Sequence, residues 1–298
     1  MKKKWMIGTR ASKLALKQTE IVVTGLQRAY PDYVFHIKTI RTTGDTVWDK
    51  PLHLIGGKGL FVKEIEEELL AGTIDFAVHS MKDMPTELDE NLTIGAILKR
   101  EDPRDAFLSL KHKTFYDIPD GGRIGTNSLR RQSQILFHNN NINVIPIRGN
   151  VDTRIRKMES ENLDGIILAY AGVARMGLGS QIKEILPFEM MVPPSGQGAI
   201  GVETRNQKPL LDILEPINDE ISFKEVSIER NLQIKIGGGC NVPLGINAAI
   251  NKDTLILNVI FGRENGEILI KDRQEGDIED AEQMVDNAAV KLSLFRSQ

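Results

Sequence analysis

Arginine residues gather in one part of the chain from which lysine is absent. Residues 123–156 contain six arginines, no lysine, no glutamate and a single aspartate, Asp152, so this arginine window carries a charge of +5. Because the whole chain carries −3, the remainder carries −8. A planar guanidinium binds a carboxylate or phosphate through two parallel hydrogen bonds, which an ammonium group does not. The arginine window therefore predicts a binding site for anions, with a solvated basic face as the plainer alternative.

The only cysteine, Cys240, follows three consecutive glycines at residues 237–239. A single cysteine excludes an internal disulfide and a cysteine-rich metal site. The five histidines lack the spacing of known metal-binding motifs, so we expect no metal. A lone thiol is most often buried and inert. The glycines, however, favour a loop whose backbone can approach a bulky group attached to the sulfur.

Residues 78–85, Val-His-Ser-Met-Lys-Asp-Met-Pro, follow a predicted strand and end in a turn. This arrangement places Lys82 and Asp83 at the carboxyl edge of a sheet, although an ordinary loop with a salt-bridged aspartate would look the same. The glycines around Lys58 suggest a phosphate-binding loop. That motif requires Ser or Thr directly after the lysine, whereas this chain has Gly59, so we set the phosphate-loop interpretation aside.

The elements that must position these residues alternate between strand and helix. Apolar patterns predict strands at residues 4–8, 34–40, 74–78, 123–125, 143–147 and 164–168. Helices are predicted at residues 12–29, 61–71, 128–137 and 153–161. The alternation predicts an α/β fold with mainly parallel sheets flanked by helices. Strands near residues 246–250, 254–261 and 268–272 and a helix at 278–294 predict a smaller C-terminal α+β unit.

Two polar, proline-containing segments, residues 99–105 and 192–198, are predicted to cross between domains. The strand-like residues 199–204 are expected to return to the first sheet. The predicted domains are residues 1–98 with 196–216, residues 99–195, and residues 217–298.

The first two predicted domains share a local feature. Gly8-Thr9 and Gly125-Thr126 each lead from a strand to a helix that starts near a serine, Ser12 or Ser128. In open α/β sheets ligands bind beyond the carboxyl ends of the strands, and a helix N-terminus favours anions there. The alternative is a chance identity of three residues; otherwise the shared feature indicates two similar domains with equivalent anion sites.

Seven segments taken together resemble the porphobilinogen deaminase (hydroxymethylbilane synthase) family. Each segment alone is weak evidence, but all seven occur in the family's order between residues 8 and 245. They begin at Gly8 (GTRASKLAL), Gly56 (GGKGLF), His79 (HSMKDMP), Gly125 (GTNSLRR), Arg148 (RGNV), Gly196 (GQGA) and Gly238 (GGCNVP). Two departures are small: Asn241 stands where Gln is common, and Thr204 replaces a second cysteine often found there.

The resemblance implies two α/β domains like those of periplasmic binding proteins and a third, α+β domain that carries the cysteine. It implies a transferase of tetrapyrrole and heme biosynthesis that condenses four porphobilinogen molecules head to tail. Ammonia is released at each step, and hydrolysis finally releases hydroxymethylbilane. The reaction is primed by a dipyrromethane cofactor, which the resemblance attaches to Cys240 through a thioether.

The resemblance also implies roles for individual residues. Asp83 is the expected catalytic group, and Lys58 is expected to belong to a mobile lid. His79 is expected to be a satisfied hydrogen-bonding residue, with a proton shuttle as the alternative. The expected cofactor-binding residues are Cys240, Lys82, Arg130, Arg131, Ser128, Thr126 and Arg154. For Lys82, Arg130, Arg131, Arg148 and Arg154 the alternative is a structural ion pair. The expected substrate-binding residues are Arg10, Ser12, Arg148, Arg175, Gln18 and Gln197.

Two other classes of protein compete with this interpretation. A non-catalytic, two-lobed solute receptor would explain the arginines and the paired domains, but not the third domain or the glycine-flanked cysteine. A nucleic-acid binder lacks a stacking platform, because Phe137 is the only aromatic residue of the arginine window. No apolar run approaches the length of a membrane span. We therefore expect a cytoplasmic monomer that binds porphobilinogen, with no nucleic-acid or membrane partner.

Overall fold

The computed structural model describes residues 3–43, 62–237 and 242–294. Cys240, the predicted attachment site, and Lys58, the predicted lid residue, lie outside the described residues, so both roles stay predictions. No helix in the described ranges is long and apolar enough to cross a membrane.

The strands are β1 (Lys4–Arg10), β2 (Val34–Ile40), β3 (Phe76–Ser80), β4 (Leu92–Ile97), β5 (Asp105–Leu108), β6 (Arg123–Gly125), β7 (Asn143–Ile145), β8 (Gly165–Ala169), β9 (Ile182–Ile185), β10 (Ile200–Arg205), β11 (Leu244–Asn251), β12 (Thr254–Gly262) and β13 (Ile268–Asp277). The helices are α1 (Lys13–Ala29), α2 (Lys63–Leu70), α3 (Leu129–His138), α4 (Val151–Ser160), α5 (Tyr170–Arg175), α6 (Lys208–Leu214), α7 (Glu220–Lys235) and α8 (Ala281–Ser293). The chain separates into two compact units, of which unit 1 comprises Met1–Arg100 and Ala199–Lys224 and unit 2 comprises Glu101–Gly198 and Glu225–Gln298.

Unit 1 contains a five-stranded sheet in the order β2-β1-β3-β10-β4. Strand β1 is parallel to β2 and β3, whereas β10 is antiparallel to β3 and β4, so four of the five strands run in one direction. Strand β10 joins this sheet after the chain has formed Glu101–Gly198 of unit 2. The prediction that residues 199–204 return to the first sheet is therefore confirmed.

Helix α1 covers part of this sheet. Ser12 caps the helix, since its hydroxyl accepts a hydrogen bond from the amide of Ala15 at 3.2 Å. Val22 and Leu26, one turn apart, are fully buried and pack into a cluster with Phe76 of β3. The apolar stripe thus fixes α1 against the sheet, and the cap fixes where the helix begins.

Unit 2 contains a second five-stranded sheet in the order β7-β6-β8-β5-β9. Strand β6 is parallel to β7 and β8, and β5 is antiparallel to β8 and β9. The two sheets have the same pattern of pairing, with one antiparallel strand in the same position. This confirms the prediction of two similar α/β parts.

The C-terminal part forms an antiparallel sheet in the order β11-β12-β13. Its core joins residues of α7, such as Leu232, with residues of α8, such as Val285 and Leu292. The predicted α+β character of this part is confirmed. The division into three separate domains with the predicted boundaries stays a prediction.

Candidate functional site

Asp83 lies on a short turn whose main chain is fastened to unit 1. Strand β3 ends at Ser80 and continues into a 3-10 turn at Met81–Asp83. The amide of Met81 donates to the carbonyl of Ala199 at 3.1 Å, and Met81 and Met84 are both buried. Asp83 itself is exposed. The turn therefore holds its backbone rigidly and presents the carboxylate to solvent.

Other predicted residues of unit 1 lie at the same edge of the sheet. Strand β1 is parallel to β3, with Gly8 opposite Ala77, so Arg10 at the end of β1 comes level with His79. Gln18 of α1 is buried, and its amide exchanges hydrogen bonds of 2.9 and 3.1 Å with the hydroxyl of Ser80. Arg10, Ser12, Gln18, Lys82 and Asp83 are thus brought to one end of unit 1.

A cluster of ionisable residues lies in the same unit, with His79 and Glu203 buried and Glu66 half-buried, and sequence reasoning named only the histidine. Nε2 of His79 lies 2.9 Å from Oε2 of Glu203, and the two side chains are 4 % and 0 % exposed. His79 is therefore a satisfied hydrogen-bonding residue, as predicted. Oε1 of Glu203 and Oε1 of Glu66 are also buried and accept no hydrogen bond from the described residues.

The surroundings of Glu66 raise the pKa of its carboxyl group. Burial is the largest influence, and the charges of Glu203 and Asp89 add to it, so the pKa of Glu66 rises to about 7 from an ordinary value of 4.5. His79 acts in the opposite direction. Glu66 and Glu203 are 137 positions apart in the sequence, and no local motif links them.

In unit 2, Asp105 stands at the centre of a buried polar cluster. Arg130 reaches its Oδ2 through Nη2 at 2.8 Å, and Arg131 reaches its Oδ1 through Nη2 at 2.7 Å and Nε at 3.2 Å. The second terminal nitrogens of the two arginines donate to the carbonyls of Val192 at 2.8 Å and Ile167 at 2.9 Å. Asp105 is fully buried, and each arginine is 5 % exposed.

Gln197 completes the cluster. Its amide nitrogen donates to Oδ1 of Asp105 at 3.0 Å and to the carbonyl of Pro103 at 2.7 Å. Burial alone would raise the pKa of Asp105. The charges of Arg130 and Arg131, with hydrogen bonds from Arg131 and Gln197, outweigh burial and hold the pKa of Asp105 well below its usual range.

This pairing alters the interpretation of the arginine window. Arg130 and Arg131 are neither a solvated face nor unrestrained ligands, because Asp105 fixes both guanidinium groups. Sequence reasoning missed Asp105, since it assigned residues 99–105 to a polar crossing. The available signal was an aspartate directly before the apolar run Ala106-Phe107-Leu108.

Thr126 and Ser128 organise the start of α3, at the carboxyl end of β6. The hydroxyl of Thr126 accepts from the amide of Ser128 at 3.2 Å, and the hydroxyl of Ser128 accepts from the amide of Arg131 at 3.4 Å. Ser128 is therefore an N-cap like Ser12 of unit 1. The equivalent positions predicted from the shared Gly-Thr motif are confirmed as helix starts.

Three further arginines that were predicted as ligands, Arg148, Arg154 and Arg175, lie in unit 2. Arg148 and Arg154 are half-buried, and Nε of Arg154 donates to the carbonyl of Gly149 at 2.7 Å. Nη2 of Arg175 donates to the carbonyl of Gly198 at 2.6 Å, and burial lowers its pKa against the opposing charge of Glu101. Within the described ranges, no group of three or more His, Cys, Asp or Glu residues could hold a metal ion.

Two family models match the chain. The model described as porphobilinogen deaminase, dipyromethane cofactor binding domain, matches residues 5–212, and the model described as porphobilinogen deaminase, C-terminal domain, matches residues 223–293. Among solved structures, a nutrient-binding protein from Burkholderia cenocepacia bound to methionine is similar, with 10% identity and a TM-score of 0.44. That likeness covers 78% of this chain and 95% of the other.

Curated relatives match over nearly the whole length. Porphobilinogen deaminase of Carboxydothermus hydrogenoformans is 45% identical over 293 residues, covering 98% of this chain and 94% of the relative. Porphobilinogen deaminase of Alkaliphilus metalliredigens is 46% identical over 275 residues, covering 92% and 87%. With both models and these relatives in agreement, the chain belongs to the porphobilinogen deaminase family.

Proposed function

We propose that Asp83 is the catalytic carboxylate of this enzyme and that arginines of unit 2 bind the carboxylates of its cofactor and substrate. The reaction itself follows from family membership: four porphobilinogen molecules are condensed head to tail with release of ammonia, and hydroxymethylbilane is released. The enzyme is thus a transferase of tetrapyrrole biosynthesis. The observation that supports the role of Asp83 is its exposed carboxylate on a turn held by buried methionines.

The family's cofactor is a dipyrromethane. Built from two porphobilinogen units, it carries four carboxylates, and the donors of unit 2 fit such a group. A guanidinium has five N–H groups. The contacts with Asp105 and the two carbonyls engage two N–H groups of Arg130 and three of Arg131, which leaves N–H groups of both for an anion.

We propose that Cys240 holds this cofactor through a thioether, as the family resemblance implies. When bound, the dipyrromethane supplies the pyrrole carbon to which the first substrate is joined. The proposed ligands of its carboxylates are Lys82, Thr126, Ser128, Arg130, Arg131 and Arg154. Asp105 acts on two of them, because it fixes their guanidinium planes before any anion arrives.

Each substrate molecule that binds brings further carboxylates that need cationic partners. Each porphobilinogen adds an acetate and a propionate, so six pyrroles including the primer carry twelve carboxylates. Burying such charges without cationic partners would cost several kcal/mol each. The proposed partners are Arg10, Arg148 and Arg175, with Ser12, Gln18 and Gln197 as hydrogen-bonding residues, and Lys58 is proposed to belong to a lid.

Asp83 acts at the reacting carbon and nitrogen atoms. Departure of ammonia from the aminomethyl group of porphobilinogen leaves a cationic azafulvene, whose methylene carbon forms a bond to the terminal pyrrole of the growing chain. The positive charge then lies on that pyrrole until it loses its α-proton. A carboxylate near the ring N–H groups stabilises both cations, and such fixed charges are strongest when oriented in advance.

We propose further that the enzyme acts as a cytoplasmic monomer without nucleic-acid or membrane partners. The internal pairing of Arg130 and Arg131 supports the absence of a nucleic-acid partner, because these two charges of the arginine window are directed at Asp105. Light scattering of the purified enzyme and binding assays with labelled oligonucleotides would test the proposal. The competing solute-receptor function predicts porphobilinogen binding without release of ammonia.

The role of Asp83 is tested by Asp83→Asn, with exposed Glu90→Gln seven positions away as the matched control. We expect Asp83→Asn to retain the fold and the covalent cofactor but to lose about 100-fold or more in kcat, because the amide keeps the shape and removes the charge. Glu90→Gln should behave like wild type. Near-normal ammonia release by Asp83→Asn would show that another group is catalytic.

A further inference from the structure

The turn that carries Asp83 is connected to strand β10 by side chains on one face of the sheet. In the β3–β10 pairing, Gly201 lies opposite His79 and Glu203 lies opposite Ala77. Alternate residues of a strand share a face, so His79 and Glu203 lie on the same side. A Cβ added at position 201 would overlap Sδ of Met81, so Met81 packs closely over this glycine.

Beyond this packing, the connection is polar. Nε2 of His79 and Oε2 of Glu203 share a hydrogen bond across 2.9 Å. Both groups are almost completely removed from water. A buried pair of this kind adds little stability compared with well-packed apolar residues. Its effect is geometric, since it fixes the position of His79 four residues before Asp83.

We propose that Glu203 is a positioning residue for Asp83: through His79 it fixes the end of β3 and thereby the turn that presents the catalytic carboxylate. This inference rests on the proposed role of Asp83. Three contacts act in series along the same few residues. They are the His79–Glu203 hydrogen bond, the packing of Met81 on Gly201, and the bond from the Met81 amide to the Ala199 carbonyl.

The same two strands offer a matched control at their other end. Asp75, just before β3, lies 3.6 Å from Nη2 of Arg205, at the end of β10, and their side chains are 6 % and 18 % exposed. Asp75 also accepts from the amide of Met6 at 2.9 Å. This pair also links β3 to β10, but it lies at the end of β3 remote from Asp83.

The test separates the length of the Glu203 side chain from its charge. Glu203→Gln keeps the length and an acceptor for His79 but removes the charge. Glu203→Asp keeps the charge but withdraws the acceptor by about 1.5 Å, one carbon–carbon bond. Both changes are mild enough to preserve folding, and Asp75→Asn serves as the control. The measurements are kcat, KM for porphobilinogen and thermal denaturation of each cofactor-loaded enzyme.

If Glu203 positions Asp83, Glu203→Asp should lower kcat by about 10- to 100-fold with little change in KM. The reason is that a shift of the turn by about 1 Å moves the Asp83 carboxylate away from the reacting atoms. Glu203→Gln should remain within a few-fold of wild type, and Asp75→Asn should lose thermal stability while keeping kcat. The inference is overturned if Glu203→Asp keeps kcat, if Glu203→Gln is the more damaged variant, or if Asp75→Asn loses kcat equally. Failure of the proposed function gives a different pattern, in which Asp83→Asn itself remains active.

Discussion

Replacing Arg131 with leucine tests whether the arginine window is solvated or built into the interior. If Arg131 were only an exposed ligand for anions, its replacement would leave stability nearly unchanged. The structure leads to the opposite expectation for this residue, because Arg131 is 5 % exposed and makes three hydrogen bonds. Two of these reach Asp105, which has no exposed surface at all.

The magnitude follows from these contacts. Removing one partner of a buried ion pair costs about 3–5 kcal/mol, since the remaining charge stays buried with weaker compensation. Arg130 and Gln197 still donate to Asp105 in the variant, which places the loss at the lower end of that range. Burial of the leucine side chain recovers about 1–2 kcal/mol. We expect a net loss of about 1–2 kcal/mol in the free energy of unfolding.

Urea denaturation followed by circular dichroism measures this loss directly. Arg156→Leu is the matched control, because Arg156 belongs to the same arginine window but is exposed and donates to the hydroxyl of Thr153 on its own helix at 3.4 Å. Its effect should stay within about 0.5 kcal/mol. If Arg131→Leu unfolds at the same urea concentration as wild type and Arg156→Leu, the buried pairing with Asp105 is not what holds this arginine.

Two further predictions concern elongation and pH. Arg154→Leu should halt the addition of pyrroles at a particular stage, seen as missing species when enzyme intermediates are separated by native charge. Arg154→Lys should rescue poorly, because lysine cannot form the two parallel hydrogen bonds of a guanidinium. Full progression of Arg154→Leu through all four additions would refute the role of Arg154 as a carboxylate ligand. The pKa of Glu66 is raised from 4.5 to about 7, so between these pH values the folded state binds one proton more than the unfolded state. Glu66 therefore contributes stability that is fully present below pH 4.5 and is lost as the pH rises through 7. Urea titrations at pH 5 and 8 measure how much unfolding free energy is lost between these pH values. Glu66→Gln should reduce that loss, whereas exposed Glu67→Gln should not. An equal loss in both variants would contradict the raised pKa of Glu66.

Features set by local chemistry could be predicted from the sequence. The serine N-caps Ser12 and Ser128 follow from residue type and position, and the order of strands and helices follows from apolar spacing. The return of residues 199–204 to the first sheet could be predicted because a strand-like segment follows a glycine- and proline-rich crossing.

Features set by long-range pairing could not be predicted in this way. Strand β5 has only four residues, and a charged residue opens it, so a polar crossing was the natural interpretation of residues 99–105. Asp105 meets Arg130 across 25 positions, and His79 meets Glu203 across 124. The residues next to each charge in the sequence do not indicate its partner. The pairs form because the fold buries both charged groups together, and buried charges must be paired.

The central claim is that Cys240 carries a covalent dipyrromethane that primes condensation. The mass of the intact, freshly purified enzyme tests it most directly, together with the mass of the peptide that contains Cys240. The account predicts an added mass equal to two porphobilinogen units less two ammonia molecules, located on that peptide and absent from Cys240→Ser, whose hydroxyl is a poorer nucleophile than a thiolate. A fully active enzyme with the mass of the bare chain would contradict it.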